Sequence, residues 1–271
     1  MRAPRRQRTM KTAVIQSYRT ESVRPWVRRC LDSVAGWAAR SGYDYIFTGD
    51  EIFDLCGADY LARVGDNKRS ITNLARLELT RNTLRGGYDR VIWLDADVFV
   101  FAPEQLRIDV TERYAFCKEI WIEINNGQVY AKRVVNNAAF VFTRNQPDLD
   151  FLIAAIRHVV MNRQIESNYQ IGVWFLSAME RVLRFGLLRN IGMFSPALVS
   201  AIVDGRQRLL DYHASQFGDP VYAANMCLAL VTAEAEAMIE AAMERLAAEQ
   251  GRMMNLNVPP EGAPLVDGTW T

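Results

Sequence analysis

Only two histidines and four cysteines occur among the 271 residues, and Cys30, Cys56, Cys117 and Cys227 are scattered with no CxxC pair. That excludes a disulfide framework and a cysteine-based zinc site; four buried thiols in a reducing compartment are expected instead. Neither sign of charge is in excess, since 32 Lys and Arg stand against 31 Asp and Glu for a formal net charge of +1. A near-neutral chain lacks the basic footprint of a nucleic-acid binder. No uninterrupted apolar run reaches the ~18 residues of a membrane span. The basic opening "MRAPRRQRTMK" also lacks the apolar segment of a secretory signal. The expectation is a cytoplasmic protein whose leader, residues 1–11, is a flexible tail able to make weak contact with an anionic membrane surface. What the sequence has in plenty is core material, half of its residues being hydrophobic.

"TAVIQSY" (12–18) and "YDYIFTG" (43–49) read as buried strands, and Trp26, Cys30, Val34 and Trp37 between them have helical spacing. A second helix spans 70–85 and a third strand 90–101, ending before Pro103. This alternation predicts an α/β domain with a largely parallel sheet flanked by helices. Residues 113–119 and 134–144 are strand-like, 148–163 and 169–184 helical, and "LLDYHAS" (209–215) reads as a strand or tight connection. A long helix over 223–250 would cover the sheet or mediate a homodimer, and an irregular tail follows. With no repeat or linker, the expected organisation is one domain over 12–222 with residues 223–271 packed on it.

The third strand contains the puzzle of the chain. In "RVIWLDADVFVF" two carboxylates, Asp95 and Asp97, interrupt an apolar run. Taking bare carboxylates out of water is costly, and two close together repel. Strand geometry would place both on one side, where they suit a divalent cation such as Mg²⁺ or Mn²⁺. A turn in which an Asp bonds backbone amides is the plainer alternative. A haloacid-dehalogenase-type phosphatase would use one Asp as nucleophile, but there the motif lies on the first core strand, and here some 80 residues of α/β pattern precede it.

The segment "KRSITNLARLELTRNTLRGGYDRVIWLDADVFV" resembles, in order and spacing, glycosyltransferase family 8, retaining galactosyl- and glucosyltransferases that use UDP-sugars. The resemblance runs over roughly 12–220. It implies a GT-A fold, a UDP-hexose donor and a DxD pair holding Mn²⁺, with Mg²⁺ as the alternative. Within it His213 matches the third metal ligand and Arg76 the arginine that reaches the donor sugar. Asn137 matches an asparagine that bonds sugar hydroxyls, with Asn136 the weaker candidate, and Gln170 the glutamine beneath the anomeric carbon. Ser17 and Tyr18 fall where relatives hold the base, although Tyr18 reads equally well as a packed core aromatic. Ala96 joins the donor-binding set, and Arg69 is as readily solvated as functional. His158, in an ordinary helix, carries no such match.

Two positions depart from the family. Tyr169 stands where an aspartate is expected, with Glu166 or Asn168 as substitutes, and Asp219 stands where a lysine meets the diphosphate. The implied reaction is attack of an acceptor hydroxyl on the leaving-group face, with Asp95, Arg76 and Gln170 as catalytic residues and the departing phosphate taking the proton. The acceptor is a glycan, a lipid-linked group or a protein. The competing class, favoured by Tyr169 and Asp219, is a nucleotide-sugar binding protein without turnover.

Overall fold

The computed structural model describes residues 10–110, 112–227, 232 and 235–258. The first half runs β1 (Thr12–Ser17), α1 (Pro25–Arg40), β2 (Asp44–Thr48), α2 (Ala58–Val64), α3 (Lys68–Arg85), β3 (Arg90–Leu94), β4 (Val98–Val100), β5 (Tyr114–Asn125) and β6 (Gln128–Thr143). There follow α4 (Pro147–Asn162), α5 (Val173–Leu183), β7 (Gly186–Leu188), β8 (Ile191–Met193), α6 (Pro196–Asp204), α7 (Gln207–Phe217), β9 (Ala223–Asn225), α8 (Glu236–Ala248) and α9 (Arg252–Asn255).

Six strands form the large sheet in the order β2-β1-β3-β6-β5-β7. β1 is parallel to β2 and β3, β5 is parallel to β7, and β6 runs antiparallel to both its neighbours. This is the mixed, mainly parallel sheet flanked by helices that the alternation predicted. Strands covered on both faces read as continuous apolar runs, and β1 is buried from Thr12 to Gln16. One face packs Trp93, Phe116, Phe140 and Phe142 against α3 and α4 through Leu74, Leu152 and Ile156. The other packs Val14, Ile92 and Val141 against Val34 and Trp37 of α1. α1 starts with Pro25 in its first turn, where a missing N–H costs nothing, and α3 starts with the Asn67 side chain accepting from the Ser70 N–H.

A second sheet, in the order β4-β9-β8, sits beside the first. Its existence corrects two expectations. The run 90–101 is not one strand: β3 belongs to the large sheet and β4 to the small one. The region 223–250 is not one helix: Ala223–Asn225 pairs with Val98–Val100 on one side and Ile191–Met193 on the other. Residues 228–231, 233 and 234 lie outside the described residues, and the helix proper is α8. The run "AANM" looks helical by propensity, but pairing on both sides overrides a preference worth tenths of a kcal/mol per residue. Residues 209–215 are helical, not extended; Leu209, Leu210, His213 and Phe217 share one buried face at helical spacing. The segment from 169 begins with a 3-10 turn, Asn168–Ile171, before α5.

α8 lays Ile239, Ala242, Met243 and Leu246 into the core formed with α6 and α7. All four cysteines are free and buried. Of the basic leader, residues 1–9 lie outside the described residues. Among the described residues no helix is long and apolar enough to cross a membrane.

Gly251 joins α8 to α9 at φ +68°, and a Cβ there would lie 2.2 Å from the Phe101 ring. Gly251→Ala combines left-handed strain with overpacking and should cost about 2–4 kcal/mol in urea unfolding. An unchanged midpoint would mean that this turn does not pin the C-terminal helices.

Candidate active site

β3 ends at Leu94, and the next three residues form a tight turn closed by the Val98 N–H on the Asp95 carbonyl at 3.0 Å. Asp95 therefore closes one sheet and Asp97 opens the other, with buried Ala96 between them. The two carboxylates flank a joint and do not share a strand face, which corrects the strand geometry expected for them. The joint lies at the carboxyl ends of parallel β1 and β3, where open α/β sheets place ligands. β6 adapts to it. Phe116 pairs with Phe140 but Cys117 pairs with Asn136, so residues 137–139 bulge out of the β5–β6 ladder. The bulge accepts the Asp95 N–H on the Ala138 carbonyl at 2.7 Å.

Arg76 of α3 reaches into this bulge. Its guanidinium lies 2.9 Å from Asp95 Oδ1 and donates to the Asn137 carbonyl at 2.7 Å and the Thr72 carbonyl at 3.2 Å. It also sits 5.4 Å from the centre of the Trp93 ring, whose Nε1 donates to Asp95 Oδ1 at 2.7 Å. Burial pushes the Asp95 carboxyl up, while the Arg76 charge and the Trp93 and Arg76 hydrogen bonds pull it down. The polar stripe of α3 does not simply face water: Asn73, Arg76 and Thr80 are buried, and only Arg69 at its start is exposed. Asn137 donates to Asn73 Oδ1 at 3.0 Å, closing the bulge onto α3.

Asp97 is 8% exposed and accepts from Asn225 Nδ2 at 2.7 Å. His213 is wholly buried on α7 between Phe194 and Phe217, and among the described residues neither ring nitrogen has a hydrogen-bond partner. Burial, aided by the Lys118 charge, lowers its pKa to about 3. Among the described residues no three His, Cys, Asp or Glu side chains are grouped as a metal-holding set. The two carboxylates supply hard oxygen donors at one turn, and the bare imidazole is an orphaned buried donor, but His213 stands apart from them.

Ser17 and Tyr18 lie at the end of β1, as expected. Ser17 Oγ donates to the Gly49 carbonyl at 3.4 Å, and Tyr18 packs on the core beside α1 with Arg19 over its ring. Gln170 sits in the 3-10 turn, where its Oε1 accepts from the Glu166 and Ser167 backbone at 2.8 and 3.2 Å. Tyr169 is 53% exposed and stacks on exposed Trp174. Glu166 is exposed, and the Asn168 side chain lies outside the described residues. Asp219 is met by Lys118 of β5 at 2.9 Å. His158 lies exposed on α4.

Several participants escaped sequence reading. Gln16 donates to the Asp95 carbonyl at 3.0 Å and accepts from the Tyr45 hydroxyl; a glutamine inside "TAVIQ" was the available signal. Trp93, two residues before Asp95, gave none beyond its apolarity. Asn225 was hidden by the helical reading of its segment. A cavity of about 970 Å³ opens at the β7 edge, lined by Lys118, Phe185, Arg189 and Asp219. None of Arg76, Asp95, Asp97 or Gln170 lines it.

No protein-family model matches the sequence, and no curated protein matches it. Among solved structures, the chain is similar over 86% of its length to 99% of a glycosyltransferase involved in glycosylation of the major capsid of PBCV-1, at 14% identity and a TM-score of 0.48. It is similar over 82% of its length to 99% of mouse xyloside xylosyltransferase 1 in its apo form, at 10% identity and a TM-score of 0.41. The inositol-1-phosphate CTP transferase of T. maritima is matched at 8% identity and a TM-score of 0.38, covering 87% of this chain and 97% of that one. Likenesses this remote carry no argument about activity.

Arg76→Met leaves the Asp95 carboxylate without its cation. Breaking a buried pair costs ~3–5 kcal/mol, and the 24% exposure of the Asp95 side chain puts the expected loss at the low end. The loss at pH 7 should shrink as the medium is acidified and Asp95 takes up a proton. A loss below ~1 kcal/mol in denaturant unfolding would place the pair among ordinary surface bridges.

His213 makes a second prediction. Its folded-state pKa lies below the unfolded value of about 6.5, so the unfolded state binds the extra proton and stability falls as pH drops below that value. At pH 5 the expected loss is about 2 kcal/mol. His213→Phe should abolish that part of the pH dependence of unfolding; an unchanged profile would contradict a neutral, sequestered imidazole.

Proposed function

We propose that the chain is a metal-dependent glycosyltransferase of the GT-A kind that moves a hexose from a UDP-hexose to an acceptor hydroxyl with retention of configuration. The observation that carries the reading is the Arg76–Asp95 pair, held at the carboxyl end of β3 beside the β6 bulge with a second carboxylate two residues on. The residue types and their order along the chain, with Arg76, Asp95 and Asn137 meeting at one joint, fit the resemblance to glycosyltransferase family 8. A haloacid-dehalogenase-type phosphatase is not favoured, because Asp95 follows the third strand in the chain and Arg76 and Trp93 already engage its Oδ1.

In this reading Ser17 and Tyr18 receive the base. Asn137 and Arg76 face the sugar, the guanidinium offering donors in a fixed plane. Asp95 and Asp97 would hold a divalent cation, Mn²⁺ before Mg²⁺, which would supply Lewis-acid neutralisation of the departing diphosphate. His213 completes that set only by leaving the space between its two phenyl neighbours. The Gln170 oxygen is occupied by backbone N–H groups, so its amide nitrogen is the end that meets the sugar. An N–H donor positions a hydroxyl oxygen and does not stabilise a developing oxocarbenium ion, which makes Gln170 a positioning group. Asp219 does not confront the diphosphate alone, because Lys118 is paired with it.

A second reading, a nucleotide-sugar binding protein without turnover, draws on one observation. Tyr169, where the family has an aspartate, turns outward onto Trp174. Slow hydrolysis of a bound UDP-sugar would mark an enzyme; tight donor binding with no release of sugar would mark the binding protein.

The deciding experiment is calorimetric titration of UDP with Mn²⁺ and with chelator, on the wild type and on Asp97→Ala. Binding that needs Mn²⁺ and disappears in the variant is expected. UDP binding untouched by chelator and by the substitution would refute the cation clamp, and no binding in any condition would remove UDP as the donor nucleotide.

A further inference from the structure

Glu119 of β5 is 8% exposed, and among the described residues no cation pairs with its side chain. Among the described residues its side chain bonds Asn136 alone, whose Nδ2 donates to Glu119 Oε2 at 2.6 Å. Asn136 is itself 9% exposed and belongs to β6 at the point where the register shifts. A buried carboxyl without a cation is costly, and a fold optimised for stability alone would place an apolar residue there. Burial accordingly pushes the Glu119 carboxyl up, against the pull of the Asn136 hydrogen bond.

The other end of Asn136 shows what the carboxyl holds. Asn136 Oδ1 accepts the Ala138 N–H at 2.8 Å, bridging the base of the bulge. The Ala138 carbonyl takes the Asp95 N–H at 2.7 Å, and the neighbouring Asn137 carbonyl takes Arg76 at 2.7 Å. Asp95 and its cationic partner thus both hang from a three-residue bulge that the β5 ladder does not hold. The Glu119–Asn136 pair ties it to β5. The arrangement is local, too: Asp95, Asp97 and Glu119 all act electrostatically on the thiol of Cys227.

We propose that Glu119 is a positioning residue, fixing the Asn136–Ala138 bulge and through it the placement of Asp95 and Arg76. The inference rests on Asp95 being the centre of the site and is independent of which nucleotide or sugar binds there. Gln at this position keeps an oxygen for Asn136; Met keeps the volume and removes the acceptor.

The Trp93 indole N–H reports the result without substrate, because its bond to a carboxylate is charge-assisted and deshields the proton. In a ¹H–¹⁵N spectrum Trp93→Phe identifies the peak, and Asp95→Ala gives its position without the bond. Glu119→Met is expected to carry the peak most of the way to that position, and Glu119→Gln to leave it at the wild-type position. Asn136→Ala, which cuts the next link, must move it in the same direction and serves if the Met variant does not fold. A Glu119→Met protein of lowered Tm whose Trp93 peak stays in place would overturn the proposal, leaving Glu119 as a core residue only. A Gln variant that behaves like Met would overturn it too, because charge and not the bond to Asn136 would then be responsible. Failure of UDP binding would leave this result untouched.

Discussion

The fold turns on one unfavourable act, the removal of the Arg76 guanidinium from water. At 7% exposure it cannot be solvated and must find acceptors inside the protein. It finds the Asp95 carboxylate, two backbone carbonyls and the face of Trp93. Each of these comes from a different piece of chain: the turn after β3, the β6 bulge, its own helix and β3 itself. Such a pair adds little net stability over an apolar substitute, because desolvation offsets most of its attraction. What it contributes is placement: α3, β3 and β6 have one mutual arrangement in which the guanidinium is satisfied.

The antiparallel β6 is what makes that arrangement reachable. The ladder with parallel β1 stops at Trp93. β6 instead passes Leu94 against Ala139 and then bulges, presenting two carbonyls to the groups that arrive from β3 and α3. Directly after the joint the chain leaves the large sheet and pairs with β9, whose Asn225 meets Asp97. The acidic pair is therefore the hinge-point of the two sheets, with each carboxylate tied to a different one.

Much of this was legible in the sequence. The α/β alternation, the helix containing Arg76 and the strand leading into Asp95 follow from the lengths and spacing of apolar segments, the strands reading as near-continuous runs because both faces are buried. What was lost has a common cause. β4, β8 and β9 are three residues each, too short to show a period, and exist through pairing with distant segments. Asn225 and the break in the run 90–101 disappeared with them. The bulge was equally invisible, since register is a property of two strands and "VVNNAAFVFT" alone reads as one. Asn137 could be picked out by type; Asn136, ranked below it, proved to be the residue that ties the bulge to β5.

The exchange of charge at the end of α7 is more informative than its sequence suggested. An acid at position 219 reads as hostile to a diphosphate only if it stands alone. Here Lys118 reaches across from β5 at 2.9 Å and Arg189 stands 3.9 Å away, so the acid is met by two cations. Lys118 also lies over the Phe217 ring, and its charge is one of the two causes that hold His213 neutral. The place of the lysine on a strand has a physical consequence. A lysine on a flexible loop can follow a ligand, whereas one anchored on β5 against Asp219 and Phe217 cannot do so without breaking that pair. An anion at the Asp95–Asp97 joint would meet the Arg76 guanidinium as the cation already in place there.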